Sequence, residues 1–186
     1  MPKLSSFTFI TLNGFYKGPQ EDISWHRHGS EENETAEKGA QSESILLFGR
    51  VSYEMMIKYW PTPMAAKNDP VVADGMNRAE KIVFSRTLDH ADWNNTRVVK
   101  DDMIETVRNL KAQGTKDMTL IGSGNVLAQL AAHDLIDTYQ IMLDPVVIGQ
   151  GTSLFQGLPD KLDLKLVDSK INASGVILLS YEPARF

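Results

Sequence analysis

Three observations predict a three-layer α/β fold, with helices on both faces of one mixed, mostly parallel sheet and an antiparallel edge at the C-terminal end. Apolar runs of strand length alternate with stretches of helical period along most of the chain. The two final runs follow one another with only a turn between them. The 186 residues, 42% of them hydrophobic and 23% charged, show no internal repeat, low-complexity tract or linker, so 1–186 reads as a single domain. A chain of this length buries roughly 70% of its unfolded surface and needs no covalent staple.

The elements follow in order. Phe7-Thr8-Phe9-Ile10-Thr11-Leu12 is rich in β-branched and aromatic residues and stops at Asn13-Gly14, which marks a strand ending in a turn. Gly14 to Gly29 has no helical period and reads as a loop. Ser30, followed by Glu31, Glu32 and Asn33, opens a helix, with acids where the helix dipole favours them. Ser44 to Phe48 is a strand bounded by Gly49, and Val51 to Trp60 a helix stopped by Pro61 and Pro63. Strands follow at Lys81 to Ser85 and Arg97 to Val99, then a helix over Asp101 to Ala112 with Ile104, Val107 and Leu110 on one face. Met118 to Ile121 is a strand, Asn125 to Ala132 a helix and Asp137 to Leu143 a strand. Leu162 to Asp168 and Val176 to Tyr181 form the closing pair, joined through Asn172 and Gly175.

Composition removes several chemistries. With no cysteine there is no disulfide scaffold, zinc ribbon, iron–sulfur cluster, thiol nucleophile or zinc nucleobase deaminase site. Nineteen basic against 24 acidic residues give −5 and a pI near 5.4, which argues against nucleic acid as a partner. No apolar run has the length of a membrane helix and the N-terminus lacks a secretory signal, so a cytoplasmic protein without membrane contact is expected. Between Pro19 and Ser44, seven acids stand against Arg27 and Lys38, and seven minus two is the whole −5. That segment is either a solvated face or the border of a site that disfavours anions.

Three strand ends could hold a ligand. Phe48-Gly49-Arg50 and Ile121-Gly122-Ser123-Gly124-Asn125 each lead from a strand into a helix, where glycine lets a phosphate approach free N–H groups. Ser85-Arg86 ends a third strand on a hydroxyl and a guanidinium. The Rossmann fingerprint fails, since Leu127 stands where its third glycine belongs, and there is no P-loop. Two phosphate-type turns with an arginine fit a pyrophosphate carrying an extra phosphate monoester, the shape of NADP(H) rather than NAD(H).

Thr11-Leu12-Asn13-Gly14-Phe15, Trp25, Leu47-Phe48-Gly49-Arg50 with Ser52-Tyr53-Glu54-Met55-Met56, Tyr59-Trp60-Pro61, Lys81 to Leu88, Gly122-Ser123-Gly124-Asn125 and Pro145 to Gly151 resemble the dihydrofolate-reductase-like superfamily. The branch they look most like is the stand-alone relatives of the riboflavin-pathway reductase domain. The resemblance implies NADPH as cofactor, with Gly49, Arg50, Val51 and Ser52 at the pyrophosphate and nearby phosphates. It places Ser85 and Arg86 at the adenosine 2′-phosphate, and Gly122, Ser123, Gly124, Asn125 and Val126 under the pyrophosphate. Asn13, Gly14, Phe15 and Trp25 fall on the loop that closes over the nicotinamide. True dihydrofolate reductases carry a carboxylate on the first helix, and of Ser30, Glu31 and Glu32 in that region Glu31 is assigned as proton donor.

The function this implies is an NADPH-dependent reductase of a small heterocyclic or conjugated substrate. It is either of the dihydrofolate type or of the 5-amino-6-(5-phosphoribosylamino)uracil type. The alternative is a non-catalytic NADP(H) binder or a structural dimer on the same fold. A small-molecule substrate and a second copy of the chain are the expected partners. His26-x-His28 beside Glu31 and Glu32 reads as loop rather than metal site, and His90 and His133 as surface residues. Met55, Met56 and Tyr59 read as helix packing, Trp25 and Trp60 as core, and Asp144 as a plain strand end.

Overall fold

The computed structural model describes residues 1–184. Its main sheet has eight strands in the order β5-β4-β3-β6-β1-β7-β10-β9, where β1 is Leu4–Thr11, β3 Ile45–Gly49, β4 Lys81–Phe84 and β5 Thr96–Val99. The others are β6 Met118–Ile121, β7 Thr138–Asp144, β9 Leu164–Ile171 and β10 Ile177–Pro183. The first six in that order pair in parallel. Strand β10 runs antiparallel to both of its neighbours, which is the antiparallel C-terminal edge.

β3 is apolar without interruption and wholly buried, as a central parallel strand covered on both faces must be. Its side chains alternate between two cores. Ile45 and Leu47 join Leu4, Leu120 and Tyr139 beneath α5 (Met103–Gln113) and α6 (Gly124–Ala131). Leu46 and Phe48 join Val83, Trp93 and Met76 beneath α2 (Arg50–Ile57) and α4 (Pro70–Arg78). The helix α1 (Ser30–Gln41) lies on this second side against α4. A β-carbon on Gly75 of α4 would collide with the carbonyl of Ala40, so the two helices touch backbone to backbone.

Several boundaries differ from the sequence reading. The segment 14–29 is not uniform loop: β2 (Phe15–Lys17) pairs with β8 (Thr152–Ser153) and a 3₁₀ turn covers Pro19–Glu21. Neither strand exceeds three residues, too short to show a period. The helix after Gly49 ends at Ile57, and α3 (Pro63–Asn68) and α4 follow it. Pro63 and Pro70 open those helices at positions where no N–H is needed; Pro63, read as a stop signal, is the start of the next helix.

Candidate functional site

From β1 the chain steps over β6 to β3 and builds outward through β4 and β5; it then returns to β6 and continues to β7 on the other side. Where the winding reverses, the carboxyl ends of β1, β3 and β6 leave a crevice. A cleft of about 1250 Å³ opens there and extends under α1 over the sheet residues Phe7, Gln140, Met142 and Leu178. The helix itself explains the hollow. SEENETAEKGAQ has only two alanines and no large apolar side chain, so it cannot fill the space it spans. A separate hollow of about 400 Å³ beside α5, lined by Arg97, Thr106 and Asn109, gathers no converging ionisable groups.

At one end of the cleft the two glycine turns interlock. Gly49 precedes α2 and Ser123 precedes α6, and neither helix start is capped by a side chain. Their first N–H groups therefore remain available, with the positive ends of both dipoles beside them. A β-carbon on Gly49 would collide with Ser123 Oγ and lie 3.2 Å from Ser123 Cβ. Gly122, at φ +61°, brings its backbone close enough that a β-carbon would sit 3.2 Å from Ser52 Oγ. Ser123 itself holds φ 59°, a strained conformation for a non-glycine residue. Gly49, Arg50, Val51, Ser52, Gly122, Ser123, Asn125 and Val126 all line the cleft. Thr8, also on its wall, buries a hydroxyl without a partner. Uncapped amides, glycine backbones and an orphan hydroxyl fit the diphosphate and polar groups of a dinucleotide.

Gly124 differs from its neighbours. A β-carbon there would meet the Leu154 carbonyl at 2.8 Å and the Tyr16 ring at 2.9 Å, so it is a packing glycine turned into the protein rather than into the cleft. Ser85 Oγ accepts from the N–H groups of Thr87 and Leu88, which shapes the turn after β4. Arg86 is 85% exposed and loosely paired with Asp101 at 3.7 Å. Phe84 lines the cleft, whereas Ser85 and Arg86 stand just outside its wall.

The segment expected to close over the nicotinamide is partly framework. Asn13 accepts from Thr11 Oγ1 and donates to the carbonyl of Ile148, tying two loops together. Gly14, at φ +86°, makes the turn into β2, and Phe15 packs beside Gly151. Only Tyr16 and Lys17 of that strand reach the cleft. Trp25 sets its ring edge-on to Phe9, with centroids 6.0 Å apart, and is half-buried. Met56 and Trp60 pack against the core on this side of the sheet, as read from sequence, and together with Met55 and Tyr59 they also line the cleft.

Of the two consecutive glutamates, Glu32 rather than the expected Glu31 lies on the cleft wall. Glu31 turns outward to the β9–β10 hairpin, accepting from the Ala173 N–H at 2.6 Å and pairing with Lys170 at 3.6 Å. It does not line the cleft; Glu32, one residue later and buried, does. A 100° step per residue sends consecutive helical side chains to different faces, and the loose spacing from Trp25 could not choose between them. Burial alone would push Glu32 up. Hydrogen bonds from Ser174 at 2.5 Å and Asn172 at 2.8 Å, with His26 nearby, outweigh it and hold the carboxyl below its ordinary range.

The structure also joins two residues that the sequence left unremarkable. His26, in the loop before α1, and Asp144, the last residue of β7, are both buried, with Nδ1 2.8 Å from Oδ2. Asp144 accepts a second bond from the Arg27 N–H at 2.9 Å. Phe9 stacks on the imidazole at 4.0 Å and 6°. The pair is 118 residues apart in sequence, and its one legible trace was an acid at the carboxyl end of a strand.

The acidic segment does not border a negative site. Of its seven acids only Glu21 and Glu32 line the cleft, and Glu21 is ion-paired with Lys17. With Asp69 and Asp117 they make four wall carboxylates, against Lys17, Lys38, Arg50 and Lys170. The other acids of the segment lie off the cleft wall, among them Glu34 paired with Lys38.

Two helix starts converging on a cleft at the carboxyl end of an α/β sheet stand where open sheets of this class take their ligands. The chain belongs to the family of the RibD C-terminal domain, whose model matches residues 2–178. The uncharacterized Bacillus subtilis (strain 168) protein YyaP is 27% identical over 172 residues, 92% of this chain and 90% of that protein. Solved structures share the fold. A protein of Shewanella sp. PV-4 named for riboflavin biosynthesis has a TM-score of 0.74 at 18% identity, over 98% of this chain and 99% of the other. A pyrimidine reductase-like protein of Corynebacterium diphtheriae has 0.69 at 13%, over 100% and 93%. A Thermotoga maritima diaminohydroxyphosphoribosylaminopyrimidine deaminase/5-amino-6-(5-phosphoribosylamino)uracil reductase has 0.69 at 16%, over 98% of this chain and 57% of that one. The dihydrofolate-reductase-like architecture and the riboflavin-reductase branch expected from the motifs thus both hold.

Proposed function

We propose that this protein is an NADPH-dependent reductase acting on a conjugated C=N or C=O bond of a small heterocycle. The observation that carries the reading is the interlocked pair of uncapped helix starts at Gly49 and Ser123, facing the cleft. The amides of α2 and α6 would hold the cofactor's diphosphate, and Arg86, free to swing from Asp101, its 2′-phosphate. Bound NADPH supplies the hydride. The chain's own part is to fix the acceptor under α1 against Phe7, Met142 and Leu178, exclude water from it and deliver a proton.

Membership of the RibD C-terminal domain family favours a pyrimidine substrate, and the balanced wall charge raises no objection to a phosphorylated one. NADPH oxidation followed at 340 nm against 5-amino-6-(5-phosphoribosylamino)uracil and against dihydrofolate tests this. Turnover of the pyrimidine is expected. NADPH binding without turnover of either compound would leave a cofactor binder instead.

A further inference from the structure

His26 is built as a proton-transfer group and the proposed reduction has a place for one. We infer that Nε2 of His26 donates the proton to the heteroatom of the acceptor bond, with Asp144 as the residue that positions the ring. This rests on the reductase reading and adds the acid to it.

The geometry leaves the imidazole one held nitrogen and one open one. Nδ1 is fixed on Asp144 Oδ2 at 2.8 Å, and the other carboxylate oxygen is occupied by the Arg27 N–H. The ring plane is fixed by the parallel Phe9 ring. Nε2 has no hydrogen-bond partner among the described residues, yet it is not among the buried atoms left without one, so it is open to the cleft that His26 lines. The titratable and charged groups around the ring are Asp144 from β7, Glu32 from α1 and His28 from its own loop, whose ring lies 4.9 Å away. Arg27 sends its guanidinium to the Ser174 carbonyl and away from the ring.

Topology puts the pair in the right half of the cleft. β1 separates β6, which ends at the Gly122 turn, from β7, which ends at Asp144. Adjacent strands are about 4.8 Å apart, so the imidazole stands roughly 10 Å across the sheet from the dinucleotide end, over the sheet residues that would carry the acceptor. The step balances. NADPH gives a hydride to the acceptor carbon and the Nε2–H bond breaks as a proton passes to the acceptor nitrogen or oxygen. The ring is left neutral, with its remaining proton on Nδ1 toward Asp144, and solvent reprotonates Nε2.

The alternative is a staple that only fastens the 18–29 loop to β7, and His26→Asn separates the two. An asparagine amide keeps a donor near the Nδ1 position for Asp144 but carries no transferable proton. The experiment measures kcat against pH for wild type, His26→Asn and Asp144→Asn with NADPH and 5-amino-6-(5-phosphoribosylamino)uracil, beside NADPH dissociation constants and melting temperatures. Wild type is expected to lose kcat as pH rises through the imidazole's titration. His26→Asn should drop kcat about 100-fold or more and flatten that limb, with the NADPH dissociation constant within about twofold. Asp144→Asn should lower kcat while keeping a falling limb, because the imidazole is still present but no longer held by a carboxylate. A His26→Asn protein that keeps wild-type kcat and pH profile overturns the acid role and leaves the reductase reading standing. If wild type binds NADPH but turns over neither the pyrimidine nor dihydrofolate, the reductase reading falls and the acid role with it. Nitrogen-15 spectra of the imidazole give a check that needs no substrate: neutral His26 should carry its proton on Nδ1, and a proton on Nε2 overturns the assignment.

Discussion

Lys81 carries its ammonium into an apolar cluster with no carboxylate beside it. The side chain is fully buried, donates to the carbonyls of Asn77 and Ala79, and lies 4.7 Å from the Trp93 ring centroid. Burial lowers its pKa to about 8. Between pH 8 and 10 the unfolded chain therefore holds more protons than the folded one, and stability must rise with pH. The full shift corresponds to about 3 kcal/mol. Melting temperatures from pH 7 to 10 should climb in wild type and stay nearly flat in Lys81→Met. At Arg86, high exposure weakens any single ion pair. Arg86→Ala should cost NADPH about 1 kcal/mol, roughly fivefold in affinity, and leave NADH unchanged in a fluorescence titration. The two turn glycines should also part company. Gly124→Ala drives a methyl into the Leu154 carbonyl and the Tyr16 ring and should cost about 1–3 kcal/mol of stability. Gly122→Ala should cost about 1–2 kcal/mol through its positive φ, and NADPH affinity should fall in the fraction that stays folded.

At the scale of elements, α1 and the β9–β10 hairpin are fastened by two consecutive glutamates with different duties. Glu32 accepts from Asn172 and Ser174 inside the protein, while Glu31 takes a backbone N–H at the surface. Glu32→Ala should cost about 1–3 kcal/mol in urea unfolding, because it strands the buried Asn172 amide and the partly buried Ser174 hydroxyl. Glu31→Gln should leave both stability and NADPH turnover near wild type. Glu32 also gives the acid side of the pH profile a direction. Its carboxyl is held below the ordinary range, so its contribution is present at neutral pH and is lost as pH falls through its folded-state pKa. The strand β9 is exposed along nearly its whole length, with Leu166, Val167 and Ile171 uncovered, whereas β3 is sealed on both faces.

At the scale of the molecule, binding at the α2–α6 junction should stabilise the whole fold, because the two turns belong to opposite cores. Gly49 and Arg50 continue the strand and helix of the α4 side, and Ser123 starts a helix of the α5 side. NADPH at 100 times its dissociation constant should add about 2.7 kcal/mol and raise the melting temperature by roughly 5–10 °C. The same concentration of NADH should raise it less. Gly49→Ala, which forces Ser123 away, should remove most of that shift.

What could be read without coordinates is whatever a short stretch decides for itself. The unbroken apolar run at 45–48 could only be a strand buried on both faces, and glycine after each of two strands left free amides at the next helix. The alternation of such segments was enough for the layers, and the order of the turn motifs for the family. Hidden were features set by contacts between distant segments. Which of Glu31 and Glu32 enters the cleft depends on how α1 is turned on the sheet, and the hairpin that fastens both side chains lies 140 residues away. Gly124 is tight because Leu154 and Tyr16 arrive behind it. The acidic stretch left open whether it was a solvated face or the border of a site; most of its charges turn off the cleft wall and the bases of other elements balance the rest. His26 found Asp144 only once β1 and β7 had paired and Phe9 supplied a surface for the ring. Local sequence determined which backbone groups were free to bind, since hydrogen bonding and turn conformation are settled within a few residues. Which side chains reach the cleft was decided by the packing of α1, β7 and the closing hairpin around it, a geometry that no short stretch contains.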